Sequence, residues 1–173
     1  MRKFFILYVL TFLFSYAAFG QGASTLDEIR RYLFYNEFNL EKGIAFYKKI
    51  IASGESTPTL VAYQAAAKAL IAKYTWNPIT KISSLKSVEN LLSDAVKAES
   101  NNLEIRFLRF YIENSIPSYL GYSKNKAEDG EILKNNLNVL DQLQLDKGIN
   151  DYIISYIKTI DESAPKIKAK AGI

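Results

Sequence analysis

The sequence predicts an all-α protein in which antiparallel helical hairpins form a compact bundle or a short solenoid. Apolar side chains recur at steps of three and four residues almost throughout, which places them on one face of a helix. Residues typical of helix starts and ends separate these runs. The chain has 173 residues, of which 49% are hydrophobic and 23% are charged, enough for one domain with an apolar core. We therefore expect a single helical domain over residues 21–164.

Residues 1–20 have the composition of a secretory signal peptide. Two cations precede a long apolar run, and the small residues Ala18 and Gly20 occupy the positions typical of a cleavage site. Cleavage there would leave Gln21 as the first residue. The alternative is an uncleaved membrane anchor, but the apolar run is shorter than the about 20 residues that span a bilayer. The leader predicts a protein that is exported to the periplasm or secreted, with no stable membrane span after cleavage.

The first two predicted helices form a hairpin. The first starts after Ser24 or Thr25, whose hydroxyl groups can accept hydrogen bonds from the free amides of a first turn. A break near residues 36–39 separates it from the second helix, which ends around Ser53. Gly54 then supplies the left-handed conformation that often follows a helix.

The third predicted helix runs from Pro58 to about Tyr74. Thr57 and Pro58 are a typical pair of N-cap and first helical residue. The interior is rich in alanine, which gives high helix propensity and lets a neighbouring helix approach closely. These alanines are Ala62, Ala65, Ala66, Ala69 and Ala72. We interpret them as a packing surface and not as a binding site.

A structured connector is predicted over residues 74–84, before a fourth helix over residues 85–99. Pro78 restricts the residue before it to extended conformations. The connector contains the only tryptophan, Trp76. This side chain can serve as a platform for a ligand or as a plug over the apolar core, and we favour the plug.

The fifth predicted helix begins at Asn102, a good N-cap, and carries a charged stripe. At 100° per residue, Arg106, Arg109 and Glu113 fall within about 60° of one another. Large apolar side chains cover the rest of the helix, so we expect it to be central, with neighbours on several sides. Arg109 and Glu113 are four residues apart and can pair. If the stripe is enclosed, each arginine needs a carboxylate, a carbonyl group or an anionic ligand, and we favour structural pairing.

The fifth helix is expected to end at Pro117, with a short helical turn before Tyr122. The acidic stretch over residues 124–133 suggests a calcium loop, but its spacing does not supply the ligand set. Its acids instead favour the positive N-terminus of a sixth helix that continues to about Leu143. These acids are Glu128, Asp129 and Glu131.

The seventh predicted helix spans residues 146–162 and is expected to end before Pro165, because proline disfavours a helix interior. Residues 165–173 then form a basic C-terminal tail. We expect this tail to be solvated, although weak contact with an anionic surface is the alternative.

Two stretches resemble known proteins. Residues 93–110 resemble the junction between tetratricopeptide-type repeats, with small residues at Ala95 and Ala98. They depart from that pattern at Ser100, where such repeats usually have proline, and the third and fifth helices start about 44 residues apart instead of about 34. The motifs YTWNPITK and EIRFLRFYIENSIPSYLGY are similar to a family of small exported bacterial helical proteins without an assigned activity. This resemblance implies the helical fold and supplies no functional residues.

Absent side chains exclude several kinds of chemistry. With no cysteine and no histidine, the chain lacks disulfides, thiol nucleophiles, the commonest general base and the commonest nitrogen ligand for metals. We expect no metal, no cofactor and no enzymatic activity, and a carboxylate-based hydrolase or lyase is the remaining enzyme hypothesis. The formal net charge of +4 includes two cations of the leader, so we expect no binding to nucleic acid.

The predicted function is binding of a protein or peptide partner through a groove of the kind that arrays of helical hairpins expose. The candidate binding residues are Arg106, Arg109, Glu113, Trp76 and Tyr122. The alternative is a carrier or sensor that encloses an anionic or amphipathic small molecule, which requires a pocket of about 300 Å³ or more. Burial of both arginines against acids inside the fold would weaken the choice of site residues.

Overall fold

Eight α-helices make up the part of the chain that the structure, a computed structural model, describes: residues 21–140, 143 and 145–170. They are Gln21–Tyr35 (α1), Leu40–Ala52 (α2), Pro58–Tyr74 (α3), Pro78–Ala98 (α4), Leu103–Ser115 (α5), Lys126–Asn135 (α6), Leu137–Leu140 (α7) and Lys147–Lys170 (α8). These residues contain no strand, so the predicted all-α fold is confirmed. The predicted signal peptide lies outside the described residues.

Several helix ends agree with the prediction. Thr57 Oγ1 accepts a hydrogen bond from the backbone N–H three residues on, at the start of α3. Asn102 Oδ1 accepts from the N–H groups two and three residues on, at the start of α5. Gly54 follows α2 with a φ of +69°, the left-handed conformation that favours glycine. A 3₁₀ turn, Ser118–Leu120, follows α5.

The start of α4 differs from the prediction. The sequence predicts a connector as far as residue 84, whereas α4 begins at Pro78 and only residues 75–77 connect it to α3. Asn77 Oδ1 accepts hydrogen bonds of 2.9 and 3.2 Å from the N–H groups two and three residues on. This cap stabilises a first turn that buries no side chain of its own.

Two further helices have bounds other than those predicted. α1 begins at Gln21, upstream of the predicted hydroxyl caps at residues 24–25. The predicted sixth helix is interrupted at Asn136, whose N–H bonds to the carbonyl oxygen only three residues back, and it therefore divides into α6 and α7. A short polar turn of this kind carries no strong sequence signal.

The last helix also extends further than predicted. The sequence predicts an end before Pro165, but α8 continues to Lys170. Proline removes its own N–H from the helical hydrogen-bond pattern and crowds the carbonyl group four residues back, which kinks a helix but need not end it. The backbone of residues 165–170, predicted to be a solvated tail, is therefore helical.

The alanine-rich surface of α3 packs against its neighbours as predicted. A Cβ added at Gly43 on α2 would lie 3.4 Å from the Cβ of Leu70 on α3, which shows how closely these two helices approach. The buried alanines of α3 are Ala62, Ala65, Ala66, Ala67 and Ala72. Small side chains on α3 therefore set the spacing of the helices around it.

Two apolar clusters meet at α5. The first joins α1 to α5 around the fully buried side chains of Phe46 and Tyr63. The second joins α5 to α6, α7 and α8 and contains the fully buried Leu133. α5 contributes Leu108 to the first cluster and Phe107 to the second. The central position predicted for this helix is confirmed.

α1 and α8 contact each other. Arg31 Nη2 lies 3.2 Å from Asp146 Oδ2, directly before α8, and the Tyr35 hydroxyl donates a hydrogen bond to the same carboxylate. The first and last described helices therefore close the array. Of the two predicted forms, the described helices take that of a compact bundle.

Candidate functional site

The charged stripe on α5 is enclosed by the fold. Arg106, Arg109 and Glu113 are all buried, each with less than a tenth of its surface exposed. Opposite them, Asp129 on α6 is completely buried. Charges in such surroundings persist only when their partners replace the lost water. The contacts of these groups therefore decide whether the stripe binds a ligand or holds the fold together.

One carboxylate joins both arginines to α6. Arg109 donates from Nε to Asp129 Oδ2 at 2.6 Å and from Nη2 to Oδ1 at 2.8 Å, a bidentate pair. Arg106 donates from Nη1 to the same Oδ1 at 2.8 Å. The prediction that the arginines pair with acids inside the fold is confirmed, and Asp129 does more than favour the N-terminus of a helix.

Arg106 has two further partners at the edge of this network. Its Nη1 donates to Glu128 Oε1 at 2.6 Å, and its Nε donates to the carbonyl oxygen of Ser100 at 2.8 Å. Burial lowers the pKa of Arg106, but the hydrogen bonds to Asp129 and Glu128 outweigh it and raise the pKa overall. The hydrogen bond from Arg106 in turn lowers the pKa of Glu128. Both shifts favour the charged forms of Arg106 and Glu128 near neutral pH.

Glu113 does not pair with Arg109, contrary to the prediction. Its two carboxylate oxygens accept hydrogen bonds of 2.8 Å from the backbone N–H and the side-chain Nδ2 of Asn125. The Ser123 hydroxyl also donates to the Glu113 carbonyl oxygen at 2.9 Å. Glu113 therefore fastens the residues before α6 to α5, and Asp129 already satisfies Arg109.

A second buried network, which the sequence reasoning missed, lies on another side of α5. Glu104 accepts a bidentate pair from Arg30 on α1, with Nε at 2.8 Å and Nη2 at 2.7 Å, and its Oε1 also accepts from the Tyr63 hydroxyl at 2.8 Å. Burial, reinforced by the Glu104 carboxylate, raises the pKa of Tyr63 well above its ordinary value. Glu104, like Arg106, is a charged residue among large apolar residues of α5, and this pattern could have identified it from the sequence. Nothing in the sequence connects it to Arg30, 74 residues away.

A groove lies beside the stripe, between α4 and the connector over residues 116–125. Its volume is about 200 Å³. Val88 and Leu92 of α4 provide apolar lining, Arg109 and Glu113 of α5 line it from inside, and Tyr122 belongs to the connector. Three of the five predicted site residues therefore line one depression.

An exposed ion pair crosses from one wall of the groove to the other. Lys124 Nζ of the connector lies 2.8 Å from Glu89 Oε1 of α4, and the two side chains are 69% and 41% accessible to solvent, respectively. A pair of this kind contributes little to stability, typically less than about 1 kcal/mol. It can be exchanged for charges on a partner at small cost.

The other two predicted site residues lie elsewhere. Arg106 is adjacent to Arg109 but does not line the groove. Trp76 is 98% exposed, so the interpretation of this residue as a plug over the core is wrong. Because α4 begins at Pro78, directly after a short connector, the indole projects from the end of the α3–α4 hairpin instead of folding back.

The described residues contain no group of three or more acidic side chains placed to hold a metal ion. Among the helices described, none has the length and apolar character needed to cross a membrane. Compared with family models, with curated proteins and with solved structures, the chain matches none of them. The resemblances inferred from its motifs therefore stay predictions.

Proposed function

We propose that this chain is a helical interaction protein, exported by its predicted signal peptide, that binds a protein or peptide through the groove. The observation that carries the proposal is the combination of a fixed floor and an exchangeable rim. The floor contains Arg109 and Glu113, which are held by the fold. The rim contains the exposed pair of Glu89 and Lys124.

The size of the groove favours a partner that inserts one or two side chains. At about 200 Å³ it is smaller than the roughly 300 to 1,000 Å³ of typical small-molecule pockets. A protein segment lying along α4 needs only an anchoring side chain in such a depression, with most of its contact area outside it. The groove therefore gives more support to a macromolecular partner than to an enclosed small ligand.

The groove gives little support to the hypothesis of a carboxylate-based hydrolase or lyase. The groove contains two carboxylates, but Glu89 is paired with Lys124, and both oxygens of Glu113 accept hydrogen bonds from Asn125. A catalytic carboxyl group needs an oxygen within hydrogen-bond reach of the substrate, whereas both oxygens of Glu113 already have partners within the chain.

The experiment inverts the charges of the rim while keeping the ion pair. In the double variant Glu89→Lys with Lys124→Glu, the pair can re-form with opposite polarity, so folding is retained and charge complementarity to a partner is lost. Wild type and variant are used to capture partners from the periplasm or medium of the source cells, with identification by mass spectrometry. We expect a partner that wild type retains and the variant does not.

The matched control is a second exposed ion pair away from the groove. Lys147 Nζ lies 2.7 Å from Asp151 Oδ2 on α8, and the double variant Lys147→Asp with Asp151→Lys inverts it. This control should retain the partner. A partner held equally by all three chains, or none held by wild type, would count against the proposal.

A further inference from the structure

The end of the α3–α4 hairpin is an exposed apolar surface, here named the tip, which consists of Trp76, Ile79 and Ile82. These side chains are 98%, 78% and 64% exposed, respectively. The three are spaced three residues apart, so the two isoleucines are neighbours on the helix surface, and Trp76 comes directly before the capped first turn. The first buried side chain of α4 is Ser84, so the first six residues of the helix project beyond the core.

Local hydrogen bonds hold the tip in place. Asn77 Oδ1 caps the first turn of α4, and Pro78 occupies the first helical position, where its fixed φ suits a helix. The Thr75 hydroxyl oxygen accepts a further hydrogen bond of 3.3 Å from the N–H of Asn77. Since the backbone is fixed on both sides of Trp76, the apolar side chains are presented in a defined arrangement at little entropic cost on binding.

The charged side chains that flank the tip in sequence are all positive. Residues 56–88 include no aspartate or glutamate, and their only charged side chains are lysines. Lys73, Lys81 and Lys86 flank the tip and are exposed. Among the described residues, no ion pair or hydrogen bond joins any of these three lysines to an acid. All four described arginines and several other lysines have such partners. The tip therefore offers exposed apolar groups together with unneutralised cations.

We propose that the tip docks on an anionic phospholipid surface. Tryptophan partitions to the boundary between headgroups and acyl chains, and isoleucine gains from entering the apolar layer. Lysines close to an anionic leaflet are attracted by its negative surface potential. This is docking by a hairpin end and requires no spanning helix. It goes beyond the proposed function and uses none of the residues of the groove.

A protein partner fits the tip less well. Three projecting side chains offer a few hundred Å² at most, since even a large aromatic residue buries only about 150–250 Å². A stable protein interface needs about 800 Å² on each side. Insertion into a bilayer interface needs only a depth of about 5–10 Å, which the side chains of one exposed helical turn can supply.

The test uses the fluorescence of Trp76, which reports on the tip alone because the chain contains one tryptophan. The full chain is titrated with vesicles of phosphatidylcholine, either alone or mixed with phosphatidylglycerol, and with the same mixture carrying brominated acyl chains. We expect a blue shift of Trp76 emission and quenching by bromine with the anionic vesicles, both weakened by added salt. Membrane contact of residues 1–20 would not depend on Ile79 and Ile82, so a variant of these two isoleucines distinguishes it from docking by the tip.

Two variants and their controls separate apolar and charge contributions. Ile79→Ser with Ile82→Ser keeps the fluorophore and should raise the lipid concentration needed for half-maximal shift by about tenfold for each isoleucine. Ile51→Ser, on another exposed apolar side chain near the end of α2, should change nothing. Changing Lys73, Lys81 and Lys86 to glutamine should abolish the preference for anionic vesicles, whereas Lys97→Gln on the last turn of α4 should retain it.

Three results would overturn the proposal. The first is Trp76 emission that stays unchanged with anionic vesicles. The second is a shift of equal size with neutral vesicles and with the lysine variant. The third is a shift that appears on raising the protein concentration without vesicles, which would identify the tip as a contact between protein molecules.

Discussion

At the scale of single residues, Asp129 connects the largest number of buried charges. It is completely buried and accepts hydrogen bonds from both Arg106 and Arg109. Its removal leaves two guanidinium groups in the interior without their main partner, which is far more costly than loss of an exposed pair. The arginines therefore serve folding, and simultaneous replacement of both by alanine would not distinguish binding from stability.

The first prediction concerns this carboxylate. We expect Asp129→Asn to reduce the free energy of unfolding by about 3–5 kcal/mol, because breaking a buried ion pair leaves uncompensated charges. Urea denaturation followed by circular dichroism measures the change. Glu128→Gln is the neighbouring control, since its side chain is 58% exposed and its loss should cost less than about 1 kcal/mol. Equal losses in the two variants would mean that Asp129 has no special role.

The second prediction is a fall in stability at alkaline pH that depends on Tyr63. Burial and Glu104 raise the pKa of this phenol in the folded chain, whereas in the unfolded chain it titrates near 10. Below about pH 10 both states keep the proton, and the contribution of Tyr63 is fully present. Above about pH 10 the unfolded state ionises first, and the free energy of unfolding falls by up to about 1.4 kcal/mol per pH unit.

Denaturation curves at several alkaline pH values test this dependence. Tyr63→Phe should show a shallower decline than wild type, since its side chain has no proton to lose. Tyr119→Phe removes a phenol that is 85% exposed and should decline as wild type does. The raised pKa values of Tyr35, Tyr152 and Tyr156 add to the decline in every chain, so the same slope in all three chains would contradict the contribution assigned to Tyr63.

The charged residues of α5 also show what the sequence predicts and what it leaves open at this scale. The enclosed stripe and the need for acid partners follow from large apolar side chains around Arg106 and Arg109. The choice of partners does not, because Glu128, Asp129 and Glu131 are close in sequence and only the rotation of α6 decides which of them reach α5. The sequence predicts Arg109 as the partner of Glu113 because spacing along one helix is visible in a sequence, whereas the observed partner, Asn125, lies in a loop.

At the scale of elements, α6 approaches α5 closely at Gly130. A Cβ at this position would lie 3.1 Å from Cε2 of Phe110, a buried ring of the second apolar cluster. The glycine follows Asp129 directly, so the same close approach brings the carboxylate within reach of both arginines. Packing and ion pairing therefore depend on one helix position.

The third prediction is that Gly130→Ala destabilises the protein although alanine is the better helix former. Propensity alone would add about 1 kcal/mol of stability. The new methyl group must displace a buried ring or shift α6, which typically costs about 1–3 kcal/mol, so we expect a net loss. Thermal unfolding gives the sign, and an increase in the melting temperature would show that α6 has room to move.

The start of α4 is the element that the sequence analysis placed least well. Residues 78–83 lack the inward-facing apolar periodicity from which helices are predicted, because this part of the helix projects from the core. The pair Asn77 and Pro78 nevertheless has the same chemistry as Thr57 and Pro58, which correctly marked α3. Local capping, and not burial, determines where this helix begins.

The fourth prediction follows from that cap. Asn77→Ala removes the acceptor for the first free amides of α4 and should cost about 1 kcal/mol, mostly as fraying of the first turn. Hydrogen exchange at Ile79 and Thr80 should accelerate by about five- to tenfold. Exchange at the first turn of α3, which Thr57 caps, should stay the same, and an unchanged rate at the first turn of α4 would show that the cap is dispensable.

At the scale of the whole molecule, buried charges hold α5 on two sides. Glu104 fastens it to α1 and α3 through Arg30 and Tyr63, and the two arginines fasten it to α6 through Asp129. The helical class follows from apolar spacing, but the closure of the bundle does not. Contacts such as that of Arg31 with Asp146 join residues 115 apart, and no periodic pattern indicates them.

This arrangement separates the charges that stabilise the fold from those available to a partner. The buried networks are satisfied within the chain, whereas the groove rim and the lysines of the tip face solvent. Variants at the rim can therefore change binding without changing stability. The proposed function depends on that separation.

The fifth prediction tests, with one titration, whether the charges of the rim act in binding and not in folding. The partner recovered by wild type is titrated against wild type and against the double variant Glu89→Lys with Lys124→Glu, at a temperature where both are folded. The account predicts the same melting temperature for both chains and an affinity at least about tenfold weaker for the variant, a loss of roughly 1.4 kcal/mol or more. Equal affinities would contradict the account, because the rim would then take no part in recognition.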